Sequence, residues 1–81
     1  MFTTIRRARL SDEIVKQIKE SLFAGRLQAG DRLPAERELA EQFETSRASV
    51  REALRTLEQE GMIQVRKGVG GGAFIAELDH R

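Results

Sequence analysis

No cysteine, tryptophan or tyrosine occurs in the 81 residues, and proline and histidine occur once each. Without cysteine there is no disulfide, thiolate metal site or thiol nucleophile, which fits a reducing compartment and makes the cytoplasm the expected location. The single histidine, His80, sits next to the last residue, where a solvated tail is the plainer reading than a catalytic base or a metal ligand. No carboxylate pair stands beside a nucleophile, so no hydrolase or metal constellation emerges; no enzyme activity, cofactor or catalytic residue is expected. No apolar run approaches membrane length, and the opening MFTTIRRARLSDE has arginines but no apolar core. Neither a membrane span nor a secretory signal is therefore expected.

The length suits one domain with a single modest core. Hydrophobic residues make up 40% and charged residues 33%, a soluble globular mixture. Fourteen basic and 13 acidic residues leave a net charge of +1, a balance that by itself describes only a solvated surface. Distribution is more informative. Arg6, Arg7 and Arg9 crowd the N-terminus, Arg47, Arg51 and Arg55 recur every four residues, and Arg66 with Lys67 leads into a glycine run. Three basic clusters can form one phosphate-facing surface if the fold unites them.

The apolar spacing of Ile14, Val15, Ile18, Leu22 and Phe23 predicts a first helix starting near Ser11 and ending at Gly25. LQAGDRLP is turn chemistry, with room for a very short strand at Arg32-Leu33 before Pro34. A second helix is expected from about Ala35 to Phe43, with Leu39, Ala40 and Phe43 inward, although Ala35 is a poor cap. Thr45-Ser46 caps a third helix from about Arg47 to Glu60, closed by Gly61. Then Met62 to Arg66 alternates like a half-buried strand, Lys67 to Gly72 forms a loop, and Ala73-Phe74-Ile75 returns as a second strand. The expected fold is α+β and mainly helical: three helices plus a small hairpin, or wing.

The short gap between the second and third helices matches a helix-turn-helix. Val50, Ala53, Leu54 and Leu57 mark the buried stripe of the third helix, which leaves Arg47, Ala48, Arg51 and Arg55 on or beside the opposite face. Arg47 suits a bidentate contact to guanine, and Arg51 can take a base or a phosphate. Ser46 and Ser49 can bond phosphate, although Ser46 can instead be occupied as a cap; Ala48 offers only a methyl. Glu52 is awkward near phosphate and is expected to pair with Arg55 or a neighbouring helix. The segment Arg6-Arg7-Ala8-Arg9 is either a phosphate-contacting arm or a solvated leader.

The loop from Gly68 to Ala73 formally matches G-x-G-x-x-A, but a dinucleotide site also needs a following helix and an acid about 20 residues on. Only eight residues follow Ala73. The glycines read as a flexible hairpin turn that also lets backbone approach DNA closely, with Lys67 at the groove edge.

The run LPAERELAEQFETSRASVREALRTLEQEGMI, followed by the glycine-rich hairpin, resembles the DNA-binding domain of the GntR family of bacterial transcription regulators over roughly residues 10 to 76. The resemblance implies a winged helix-turn-helix whose third helix enters the major groove and whose wing tip reaches the minor groove. It implies DNA contacts from Arg37, Arg47 and Arg51, Ser/Thr contact positions at Ser46 and Ser49, and a wing contact at Lys67 and Gly68. Ala35 departs from the family's usual serine, and Ala48 stands where a hydroxyl or proline is frequent. The family's C-terminal effector-binding and dimerising domain is absent from the sequence, so an isolated DNA-binding domain or a truncated regulator is expected.

The expected function is sequence-specific binding of double-stranded operator DNA by a bacterial regulator, more often a repressor, working as a homodimer and answering a small-molecule effector only through the missing domain. The expected organisation is a basic arm over 1–9, the binding domain over 10–76 and a tail over 77–81. Two rivals remain: a winged-helix module that meets another protein, and a nucleotide-binding fragment resting on the glycine loop. Steep salt dependence separates DNA binding from the first, and tight mononucleotide or dinucleotide binding would mark the second.

Overall fold

The computed structural model describes residue 2 and residues 7–77. The first helix, α1, spans Arg7–Phe23 and starts before Ser11, which is buried inside it and is not its cap. Arg, Ala and Leu are good helix formers, so nothing in the preceding residues stops the helix from extending backwards. The last three residues of the segment read as an arm, Arg7 to Arg9, are therefore helical, while residues 3–6 lie outside the described residues. Ile14, Val15 and Ile18 are buried and Leu22 is half-buried, as the spacing predicts. Phe23 was expected beside them but is 81% exposed. At about 100° per residue it lies roughly half a turn from Ile14, off the stripe centred between Val15 and Ile18. Gly25 then takes φ +79° and turns the chain out of the helix.

Asp31 to Leu33 runs beside the hairpin. Arg32 forms a single antiparallel bridge with Phe74, flanked by Leu33 N–H to Ala73 O and Ile75 N–H to Asp31 O, both 2.8 Å. The short third strand is thus one residue pair wide, and it sinks Leu33 into the core.

The second helix, α2, spans Glu36–Gln42, with Ala35 and Phe43 as its caps. Ala35 offers no side-chain bond, but its own N–H donates to Glu38 Oε1 at 3.3 Å, half of a capping box. Leu39 and Ala40 are buried. Glu44 then adopts φ +53°, the one non-glycine positive φ among the described residues, and redirects the chain toward Ser46.

The third helix, α3, spans Arg47–Gln59 and ends at the Glu60 cap, with Gly61 at φ +77° as its left-handed exit. Val50, Ala53 and Leu57 are wholly buried against α1 and α2, with Leu54 partly so. Lys19 on α1 meets Glu60 at 2.7 Å, tying the two helices at the surface. Strand β1 (Ile63–Arg66) pairs antiparallel with β2 (Gly72–Ile75), placing Ile63 opposite Ile75 and Arg66 opposite Gly72. Ile63 and Ile75 extend the core into the hairpin's base, whereas Val65 is 47% exposed. The alternation seen in the sequence buries only its first step, because the hairpin then leaves the body of the domain. The result is a three-helix core with a two-stranded wing.

Candidate nucleic-acid interface

The front of α3 is fixed by Ser46. Its Oγ accepts the Ser49 N–H at 3.1 Å, satisfying one of the helix's orphan donors, and its hydroxyl donates to Ser49 Oγ at 3.1 Å. Ser46 itself is exposed. Ser49, expected to bond phosphate, is 0% exposed, since it lies one residue before Val50 on the inward side of α3. It positions Ser46 and has no surface of its own to offer a ligand.

Arg47, Arg51 and Arg55 are all exposed, and their spacing of four residues stacks them along one side of α3. Ala48 is half-buried beside Arg47. Arg37, exposed on α2, lines with Arg47 a shallow recess of about 410 Å³, together with Glu41 and Glu44. The fold therefore unites Arg37 and Arg47 across the helix-turn-helix.

Arg51 is engaged by Glu36: Nη2 lies 2.8 Å and Nε 3.2 Å from its two carboxylate oxygens. This hydrogen bonding, and then the charge of Glu36, raises the Arg51 pKa above its ordinary value. The pairing expected between Glu52 and Arg55 is absent, and among the described residues neither forms an ion pair. The acid that matters is 15 residues from its partner and belongs to another helix, a contact no local spacing rule reports.

In the wing, Lys67 and Gly68 are exposed, and Gly68 takes φ +88°. The turn closes with Gly71 N–H donating to Gly68 O at 2.9 Å. A Cβ on Gly71 would stand 2.3 Å from the Arg66 carbonyl oxygen, so this glycine is required by space. The Arg66 guanidinium lies 4.5 Å from the Phe74 ring centroid, a cation–π contact on the wing's stem. Between α3 and the wing is a second concavity, of about 350 Å³, lined in part by Arg32, Glu36, Arg51, Arg55 and Gly72. Arg32 and Arg55 were not among the expected contact residues. Arg32 was legible only as a strand residue, whereas Arg55 was legible as part of the basic face of the third helix and as a partner for Glu52, without a contact assigned to it.

Among the described residues no cluster of His, Asp or Glu could hold a metal ion, and no helix is long and apolar enough to cross a membrane.

Residues 10–72 match the family described as bacterial regulatory proteins, gntR family. The Exu regulon transcriptional regulator of Escherichia coli is 45% identical over 62 residues, which are 76% of this chain and 24% of that protein. The chain spans about a quarter of the length of the curated relatives it matches. Among solved structures, YtrA from Sulfolobus acidocaldarius, a GntR-family transcription factor, superposes with a TM-score of 0.76 at 32% identity, covering 85% of this chain and 70% of that one. The AraR DNA-binding domain in complex with operator ORR3 gives a TM-score of 0.74 at 25% identity, covering 94% of this chain and 86% of that one.

Proposed function

The chain belongs to the GntR family of bacterial regulatory proteins and is a DNA-binding domain of that family's transcription regulators, not an enzyme; on that premise we propose that it acts as a cytoplasmic repressor that docks α3 in the major groove of a double-stranded operator, with the wing at the minor groove. The observation that carries this reading is the front of α3: a rigidly capped helix start with Arg47 exposed in its first turn and Arg51 one turn on. Arg47 has no acidic partner among the described residues, so its five donors are free for guanine O6 and N7. Arg37 shares its recess and binds the adjoining backbone or base edge.

Ser46 reaches phosphate by rotating its hydroxyl proton away from Ser49 Oγ while still accepting the Ser49 N–H. Ala48 meets a thymine methyl or allows close approach. Lys67 neutralises a phosphate at the minor-groove edge, and Gly68 brings backbone close to it. The regulator works as a homodimer on paired half-sites, and any effector acts through a further domain of the longer protein.

Selection of bound sequences from random duplex DNA tests this reading. It should enrich one half-site, with a steep fall of affinity in salt. Binding that is salt-insensitive and enriches no sequence would instead favour a protein-interaction module.

A further inference from the structure

A domain that places one helix in the major groove and its wing in the neighbouring minor groove must straddle the sugar-phosphate strand between them. In this chain the space available for that strand is the concavity of about 350 Å³ between α3 and the wing. Four charged residues line it: Arg32, Arg51, Arg55 and Glu36. The Arg51–Glu36 pair is internally neutral, leaving Arg32 and Arg55, both exposed and neither with an acidic or hydrogen-bonding side-chain partner among the described residues.

Arg32 is also placed rather than free. Its backbone is pinned by the bridge to Phe74, and its side chain lies across Gly72, where a Cβ would stand 2.9 Å from Nε. A side chain on Gly72 would force the guanidinium to shift. Arg55 faces it from the other wall, two turns along α3 from Arg47.

We infer that the cleft between α3 and the wing is a backbone-phosphate site, in which Arg32 and Arg55 hold the DNA strand that separates the two grooves. The inference rests on the docking proposed above, and it assigns Arg32 and Arg55 a sequence-blind role distinct from the base reading given to Arg47. Each arginine neutralises about one phosphate, so each contributes to counterion release.

The test is titration of the selected half-site and of a scrambled duplex between 50 and 200 mM salt, using the full chain and its Arg32→Ala, Arg55→Ala, Arg32→Lys, Arg55→Lys and Arg47→Ala variants, with thermal melts to confirm folding. Each alanine variant should flatten the log-log slope by about 0.9 on both duplexes, shrinking the salt-induced loss across that range by about 3.5-fold. The lysine variants should restore the slope, because a phosphate needs charge where a base edge needs the arginine fork. Wild-type slopes in both alanine variants, alongside lost discrimination in Arg47→Ala, would overturn the cleft assignment while leaving the docking intact. A wild-type chain that neither discriminates nor responds to salt would overturn both.

Discussion

The guanidinium of Arg51 on α3 is gripped by the carboxylate of Glu36 on α2, through two parallel hydrogen bonds of 2.8 and 3.2 Å. A fork of this kind fixes the arginine's orientation as well as its position. Two of the five guanidinium donors are used and three remain for a ligand. The pair is neutral, so in the proposed docking Arg51 would act as an oriented donor more than as a positive charge. Because the folded pKa is raised, the contribution from the arginine's ionisation is fully present below the ordinary arginine value and is lost as pH rises through the still higher folded value. This interaction therefore gives no pH dependence across neutrality.

Glu36→Gln should convert Arg51 from an oriented donor into a loose cation. The side chains are 58% and 31% exposed, so solvent screens the pair and the stability loss should be small. On scrambled DNA the salt slope should steepen by about 0.9, because one more charge is free to release counterions, and discrimination between half-site and scrambled duplex should fall. Titration of both duplexes across salt reads the two effects. An unchanged slope with unchanged discrimination would mean that Glu36 does not govern Arg51 on DNA.

Arg47→Ala and Arg51→Ala should each weaken half-site binding, by about 1 to 3 kcal/mol if a bidentate base contact is lost. Arg47 should cost more specificity, because its side chain has no acidic partner among the described residues whereas two donors of Arg51 are held by Glu36. Equilibrium titration against single-base variants of the half-site ranks them. Two folded mutants with wild-type affinity would remove α3 from the major groove.

The helices were legible because their signals are local. Ser46, Gly25 and Gly61 mark ends, and the stripe of Val50, Ala53 and Leu57 repeats at helical spacing. The β-bridge at Arg32 was legible too, from the turn and proline around it. What escaped depends on how elements meet. Ser49 reads as a polar contact residue until packing shows that its position faces Val50's side of the helix. Glu52 and Arg55 have suitable spacing for an ion pair, yet Glu36, far away in sequence, is the acid that bonds this face of α3. The start of α1 was missed for the opposite reason: Ser11 looks like a cap, but favourable residues before it let the helix begin at Arg7.

Ser46 combines a cap with a proposed phosphate contact, and two substitutions separate them. Ser46→Ala should lower stability by about 1 kcal/mol through loss of the cap, and it also removes the partner of the buried Ser49 hydroxyl. Ser46→Asp should preserve the cap but repel phosphate, keeping the melting temperature near wild type while weakening every duplex. If the aspartate variant binds DNA as well as wild type does, Ser46 is only structural.

The wing can be tested through shape and charge. Gly71→Ala would set a methyl against the Arg66 and Gly68 carbonyls, forcing the turn to shift while the helical core stays intact. It should weaken DNA binding with little change in melting temperature. Lys67→Ala should weaken all duplexes alike and flatten the salt slope by roughly 0.9. A change of preference at one base position with an unaltered slope would show that Lys67 reads a base instead.

The free chain should be mainly monomeric. The apolar stripes of α1, α2 and α3 converge on one core with Leu33, Ile63 and Ile75, and the large apolar side chains left outside, such as Phe23 and Val69, come from separate elements, the end of α1 and the tip of the wing. Among the described residues no long amphipathic helix remains to pair two copies. A single half-site should accordingly be bound weakly. Joining two copies with a linker that spans paired half-sites should raise affinity by about 10² to 10⁴ through effective concentration alone, without a new base contact. Sedimentation of the free chain, beside titration of single and paired half-sites by the linked and unlinked forms, tests both parts. A stable dimer at micromolar concentration would reveal a self-interface, for which the exposed side of α1 around Phe23 is the first place to look. Equal affinity of linked and unlinked forms for the paired site would instead show that the half-sites are not read by two copies at once.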